Sequence, residues 1–236
     1  MFCLTLCFLT KIGFPMLQTN TNARQAAVST MKQSLILNAA RQIFEEDGIE
    51  GASIRAIAKK AGYTPGAIYF HFKSKEEIYA ALLDQSLDTL VARVTASVVG
   101  AKTPKDQMYL SGRAFFDFYA ENPRDLDLGF YLFRGGMRPH GLGSARDQDL
   151  NEKLLWSLAP FRHALMEMGC KDETADAETA AFFAHTSGLL LLKHTGRMSL
   201  FATDAAPQID SYLTNLEHRM DHMLAVAAWA ETHIDL

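Results

Sequence analysis

Residues 61–75 read AGYTPGAIYFHFKSK, and this stretch decides the fold. It combines glycine, proline and aromatic residues with a histidine and two lysines, and it contains no acidic residue. Thr64 followed by Pro65 is a helix start signal, because threonine caps the first turn and proline has no N–H to leave unpaired there. The sequence therefore predicts a short helix from Pro65 to about His71.

A second short helix precedes this one. Ser53 is a good N-cap, and Gly62 is typical of a residue that ends a helix. Residues 53–71 are thus predicted to form helix, tight turn and helix, the arrangement of a DNA-binding helix-turn-helix. A first helix that stops at Gly48 and a long fourth helix opened by a capping box at residues 74–77 complete the domain, residues 31–78.

The charge distribution favours contact with a polyanion at one end of the chain. Residues 32–75 hold seven basic and four acidic residues, whereas residues 76–236 hold 14 basic and 23 acidic residues. No acidic residue lies between Ser53 and Lys75. A carboxylate there would repel DNA phosphates, so its absence suits a DNA-binding segment on an acidic body.

The helix from Pro65 is the predicted recognition helix. Its N-terminal residues would approach base edges, and Tyr69 and His71 carry an O–H and an N–H for phosphate oxygens. The apolar residues Ile68, Phe70 and Phe72 are expected in the core. The contacts predicted for this segment are Thr64, Pro65, Gly66, Ala67, Tyr69, His71 and Lys75.

Residues 32–78 resemble the DNA-binding domain of the TetR family of bacterial transcriptional regulators. The resemblance lies in AA…F…G of the first helix, S…IA..AG of the second, and G.IY.HF..KE across the third into the fourth. It implies a helical homodimer that binds double-stranded DNA at a palindromic operator, usually as a repressor, and that a small molecule releases. Position by position, it implies DNA contacts at Ser53, Arg55, Thr64, Gly66, Tyr69, His71 and Lys75.

Residues 79–236 are predicted to form an all-α ligand-binding and dimerisation domain. Helices are expected near 75–99, 106–121, 124–134, 150–168, 174–195 and 209–232. Aromatic residues are dense here, and such residues line most ligand pockets in helical bundles. The candidate pocket, for an apolar or aromatic effector, consists of Phe115, Tyr119, Phe130, Phe133, Trp156 and Phe182.

The resemblance also implies a homodimer through the last two helices, near 174–195 and 209–232. Apolar residues from Ile209 to Ala227 keep a seven-residue rhythm on the last helix. The preceding helix carries small residues that would permit close approach of a partner helix. These small residues are Ala181, Ala184, Ser187 and Gly188.

Residues 1–30 are expected to be a disordered, dispensable leader, or to result from a mis-assigned start if the natural start is Met16 or Met31, and the first helix is expected to begin at Met31. No basic residue precedes the apolar MFCLTLCFL, which argues against a secretory signal. An alternative is that Arg24 belongs to a basic arm that reaches a minor groove, as in some helix-turn-helix proteins. No apolar run reaches the length of a membrane span, and three cysteines without metal-like spacing indicate a reducing, cytoplasmic location.

Other chemistry is disfavoured by the motifs present. His218 and His222 are four residues apart on one helix, but no HExxH or cysteine pair accompanies them. No GxSxG or phosphate-binding loop is found, so neither an enzyme nor a cofactor is expected. The remaining alternative is a dimeric DNA-binding protein without a small-molecule inducer, acting as an activator or in an architectural role.

Overall fold

The computed structural model describes residues 18–134 and 144–233, which form nine α-helices, one short 3-10 helix and no strand. The helices are α1 (Gln18–Gly51), α2 (Ile54–Ala61), α3 (Pro65–His71), α4 (Lys75–Ser97), α5 (Pro104–Glu121), α6 (Pro123–Arg134), α7 (Ser144–Glu167), α8 (Asp172–His194) and α9 (Ala205–His233). The 3-10 helix is Arg197–Phe201. The predicted all-α class is confirmed, and the chain divides into two compact units after Lys75.

The first unit contains α1, α2 and α3, and α2 packs against both of the others. Its core comes from the apolar residues that the sequence places at helical spacing on α1, together with one face each of α2 and α3. The buried residues of this core are Ile36, Leu37, Ala39, Ala40, Ile43, Phe44, Ala52, Ile57, Ala58, Ile68 and Phe72.

Helix α1 begins earlier than the sequence predicts. Residues 18–30 are helical, so the expectation of a disordered leader is wrong for this part, while residues 1–17 lie outside the described ranges. The reason is that this stretch contains no proline or glycine to interrupt the helix. The predicted stop at Gly48 is confirmed as a break in α1, because Gly48 has a non-helical φ of 67° and ψ of 170°.

The second unit is organised around α5, which packs against α6, α7, α8 and α9. Thr103 and Asp106 form a capping box that fixes the start of α5. Phe115, Phe116 and Phe118 on this helix are all buried. The predicted breaks at Asn122-Pro123 and Gly169 coincide with helix ends, whereas most of the glycine-rich segment after Arg134 lies outside the described residues.

The apolar row on α9 has a different role from the one predicted. Ile209, Leu213 and Leu216 are 0% exposed and Met220 is 2% exposed within one protomer. This row is buried because α9 packs on α5 and α8 of the same chain. The seven-residue rhythm therefore marks a face in the protomer core, and its assignment to the dimer interface is corrected for these four residues.

Within the described ranges, no helix is long and apolar enough to cross a bilayer.

Candidate nucleic-acid interface

The turn between α2 and α3 is held by capping bonds that the sequence predicts. Ser53 caps α2, its side-chain oxygen accepting a hydrogen bond from the Ala56 N–H at 3.2 Å. Gly62 ends the helix in the left-handed region, with φ 73° and ψ 28°. The Tyr63 N–H donates to the Ala58 carbonyl at 2.9 Å, which closes a Schellman-type helix end. These local bonds fix the angle at which α3 leaves α2.

Helix α3 starts and stops at the predicted residues. Thr64 caps it, its hydroxyl oxygen accepting from the Ala67 N–H at 3.3 Å, and Pro65 occupies the first turn. The last residue is His71, and Phe72 follows it in extended conformation. The predicted recognition helix is therefore confirmed as a structural element.

The exposed face of α3 corrects one prediction. Ile68 and Phe72 are buried as expected, but Phe70 is 85% exposed. At 100° per residue, positions 66 and 70 lie almost opposite positions 68 and 72, which face the core. Phe70 was assigned to the core because it is apolar, whereas the helical period places it on the same outward face as Gly66. Tyr69, 54% exposed, lies to one side of this face.

Gly66 leaves the centre of the outward face without a side chain. A Cβ added at this position would meet only the Thr64 hydroxyl oxygen, at 4.0 Å. The chain therefore has room for an alanine side chain at position 66, and a glycine inside a helix is less stabilising than an alanine. Packing within the chain does not explain the glycine. The glycine suits a helix whose backbone approaches something outside the chain.

Replacing Gly66 with alanine is expected to raise the free energy of unfolding by about 0.4–1 kcal/mol and to weaken DNA binding. The gain comes from a less flexible unfolded chain, and the weaker binding from a methyl group between α3 and the base edges. Gly129→Ala in α6 is the matched control, because an added Cβ there is equally uncrowded and meets nothing within 4 Å. Thermal unfolding and DNA titration should show the stability gain in both variants and the weaker binding in Gly66→Ala alone.

Basic side chains of α2 lie at the surface of this unit. Arg55 and Lys59 are exposed on α2, and in the described part of the chain no ion pair is found for either. Lys60 differs, because its Nζ lies 2.6 Å from the Glu46 carboxylate. The Ser53 hydroxyl accepts the capping bond, which leaves its O–H to donate to a phosphate. Lys75, partly buried, opens α4 beside the end of α3.

The comparison with known protein families agrees with this geometry. The family model described as "Bacterial regulatory proteins, tetR family" matches residues 36–82, which span the C-terminal part of α1, all of α2 and α3, and the start of α4. This N-terminal domain belongs to the TetR family. The resemblance drawn from the sequence motifs is therefore confirmed.

Two curated relatives extend the comparison. The chain is 43% identical over 65 residues to the HTH-type transcriptional regulator UidR of Escherichia coli (strain K12), covering 28% of this chain and 33% of UidR. It is 30% identical over 99 residues to the HTH-type transcriptional activator FasR of Mycolicibacterium smegmatis, covering 42% of this chain and 45% of FasR. The chain thus spans less than half of either relative. Both are named as regulators of transcription rather than enzymes, in line with the sequence.

A solved structure shows the same fold over most of the chain. The transcriptional regulator FadR from Bacillus subtilis, in complex with stearoyl-CoA, superposes with a TM-score of 0.59. The likeness covers 77% of this chain and 95% of FadR at 22% sequence identity. At this identity, the likeness establishes the shared helical fold of both domains and not a shared ligand.

The candidate effector residues of the second unit separate into three groups. Phe115, Tyr119 and Phe182 are buried together, with the Phe115 ring 5.3 Å from Tyr119 and 5.8 Å from Phe182. Burial also raises the pKa of the Tyr119 phenol. Trp156 is instead 57% exposed and does not lie among these buried residues. Phe130 and Phe133 lie on α6, but their side chains are outside the described set.

The predicted small residues of α8 do lie at the surface. Ala181, Ala184 and Gly188 are exposed and Ser187 is partly exposed, on a face that α5 and α9 leave uncovered. Large apolar side chains of α8 and α9 are exposed as well, and the most exposed of them are Leu191, Val226 and Trp229. His218 and His222 are exposed on α9, and no group of three metal-binding side chains is present among the described residues.

Proposed function

We propose that this protein is a transcriptional regulator that binds a two-fold symmetric operator as a homodimer in the cytoplasm. Binding of a small molecule in the C-terminal domain releases it from the operator, so that it acts as a repressor. The observation that carries the proposal is the outward face of α3, where Gly66 and Phe70 are uncovered in a segment without acidic residues.

Charge supports DNA as the partner of this face. The first unit carries excess positive charge, whereas the rest of the chain is acidic. Phosphate contacts supply most of the affinity of a DNA-binding protein, and base contacts supply its sequence preference. The exposed Arg55 and Tyr69 provide candidates for both kinds of contact.

The exposed surface of α8 and α9 supports the homodimer. Helices that carry small residues approach each other closely, and the flanking Leu191 and Trp229 would be withdrawn from water in such a pairing. A dimer places its two recognition helices on one side of the duplex, about 34–36 Å apart, which is one turn of DNA.

The aromatic cluster around Phe115 supports an apolar effector. Cores of this composition accommodate apolar ligands when helices move apart, and polar residues then fix the orientation of the ligand. FadR of Bacillus subtilis, which shares the fold, is described in complex with stearoyl-CoA. Stearoyl-CoA is therefore the first probe to test on this chain.

Selection from random double-stranded DNA tests the proposal. The full chain is expected to enrich a sequence with two-fold symmetry whose half-sites lie about 10–10.5 base pairs apart, or a multiple of this distance. Titrations with and without stearoyl-CoA should then show operator and probe weakening each other's binding by the same factor, as linkage requires. If the protein enriched no sequence, the proposal would be wrong. If it enriched an operator but no small molecule weakened its binding to that operator, the proposal of a small-molecule effector would be wrong.

A second candidate is an activator that binds the same kind of operator. The observation in its favour is that FasR, 30% identical over 99 residues, is named as an activator. A reporter fused to the operator and its promoter separates the two functions, because deletion of the regulator raises expression under repression and lowers it under activation.

A further inference from the structure

The N-terminal part of α1 and the recognition helix enclose a groove that the sequence does not predict. Residues 18–30 add 13 residues to α1, a length of about 20 Å. One face of α1 turns towards α3 and contributes Arg24 and Val28 of the extension and Lys32 just after it, spaced four residues apart. Across the groove lie Ala67, Phe70 and His71. The groove is open to solvent and has a volume of about 680 Å³.

We propose that this groove, formed by the extension of α1 and the recognition helix, binds the sugar–phosphate backbone of one DNA strand. The inference rests on the proposed function, and it adds a second DNA-binding element to the helix-turn-helix. It replaces the expectation that residues before Met31 are dispensable, and it differs from an arm lying in a minor groove because the contacts are made by an ordered helix.

The charge of the residues around the groove indicates that its ligand is a polyanion. The chain has no acidic residue before Glu45, so none lies on the extension or within three turns after it. Arg24 and Lys32 are exposed at the rim, and neither forms an ion pair with any residue in the described ranges. Two unpaired cations eight residues apart on one helix face, about 12 Å, can contact phosphates of the same strand.

The apolar side chains on the walls of the groove are also compatible with a DNA strand. Val28 is 47% exposed and Phe70 is 85% exposed, and they lie on opposite walls of the groove. A deoxyribose is apolar on its ring faces, so the sugars can contact these side chains while the phosphates reach the rim. Gln25 and Ser29, next to them on α1, offer further donors for phosphate oxygens.

Position on the recognition helix connects the groove to the operator. His71 lines the groove and is also the residue expected to contact a phosphate at the end of α3. A strand that passes His71 therefore continues directly between α3 and the extension of α1. The contact is to the backbone, so it strengthens binding to any DNA sequence and carries no base preference.

Neutralising the two rim cations tests the inference in the full-length protein. The double variant Arg24→Ala/Lys32→Ala is expected to weaken binding to operator and to unrelated DNA by a similar factor, about tenfold or more. The plot of log K against log salt has a negative slope, and its magnitude should decrease by about 0.9 for each phosphate that is no longer neutralised. For a dimer without all four rim cations, the decrease is about 3.6. An unchanged slope would overturn the inference.

Two matched substitutions, each adding one negative charge, distinguish a specific contact in the groove from a general effect of charge on DNA binding. Gln25→Glu places one negative charge on the groove face, whereas Ala27→Glu places one on the exposed opposite face of the same helix. At physiological salt the charges are screened beyond about 8 Å, so only Gln25→Glu is expected to weaken binding strongly. Equal weakening in the two variants would refute a specific contact in the groove. Circular dichroism and thermal unfolding verify that both variants fold.

Three further results would show whether the groove binds DNA. If Val28→Ser changed the mass of the assembly in light scattering without DNA, the groove would hold a second copy of the chain, and the inference would be wrong. If the unaltered protein enriched no DNA sequence, the proposed function would fail together with it. If the unaltered protein bound its operator and the double variant bound equally well, only the present inference would fail.

Discussion

The variant Phe182→Ala is expected to lose about 3–5 kcal/mol of unfolding free energy, the usual cost of removing a large buried aromatic side chain. Phe182 is 0% exposed on α8. Its ring stacks on Phe161 of α7 at 4.2 Å between centroids and meets Phe115 of α5 edge-on at 5.8 Å. One side chain thus links three helices of the second unit, and alanine would leave a cavity among them. Urea denaturation followed by circular dichroism measures the loss.

Trp156→Ala provides the comparison for this measurement. The sequence placed Trp156 in the same candidate pocket, but the structure leaves it 57% exposed on α7. Its removal is expected to change stability by about 0.5 kcal/mol or less, as for most surface substitutions. Similar losses in both variants would contradict the burial of Phe182, and a small loss in Phe182→Ala alone would indicate a wall of an open pocket rather than a packed core.

Local signals in the sequence were sufficient to place the helix-turn-helix. Caps act over three or four residues, so Ser53, Gly62 and the Thr64-Pro65 pair define the ends of α2 and α3 without knowledge of the rest of the chain. The beginning of α1 carried no such signal. Residues 19–22 are all of types that can cap a helix and no helix breaker follows them, so no single position marks the start of α1. The polar composition of the segment therefore indicates disorder when it is considered alone.

The face that a side chain occupies was harder to predict than the helix that carries it. Phe70 was assigned to the core with Ile68 and Phe72, although alternate residues share a face in a strand and not in a helix. A helical projection of residues 64–72 would have placed Phe70 outside. Hydrophobicity alone failed here because a residue that contacts an external partner can be as apolar as a core residue.

The apolar row of α9 shows a second limit. Periodicity indicates that Ile209, Leu213 and Leu216 lie on one buried face, and the structure confirms that they do. Periodicity does not indicate whether that face packs on the same chain or on a copy. Only the positions of α5 and α8, which depend on contacts distant in sequence, assign the row to the protomer core.

The second large effect is expected for Arg55→Ala, as a loss of discrimination between base pairs. Arg55 is exposed in the first turn of α2, and its guanidinium can bind O6 and N7 of a guanine with two hydrogen bonds. Arg55→Ala is expected to lose about 1–3 kcal/mol of discrimination at one base pair, and the loss occurs twice in a two-fold symmetric operator. The side chain is exposed, so the variant should retain its stability within about 0.5 kcal/mol.

Binding to every single-base variant of the operator distinguishes this contact from a phosphate contact, the alternative role of Arg55. If Arg55 reads a base, the Arg55→Ala protein becomes indifferent to one symmetric pair of positions and keeps its preference elsewhere. Tyr69→Phe and His71→Ala serve as references, because removal of a phosphate contact weakens binding to all operator variants alike. A uniform weakening in Arg55→Ala, parallel to these two references, would assign Arg55 to the backbone. Base reading would then be left to the N-terminal part of α3, where Gly66 allows the helix backbone to approach the base edges.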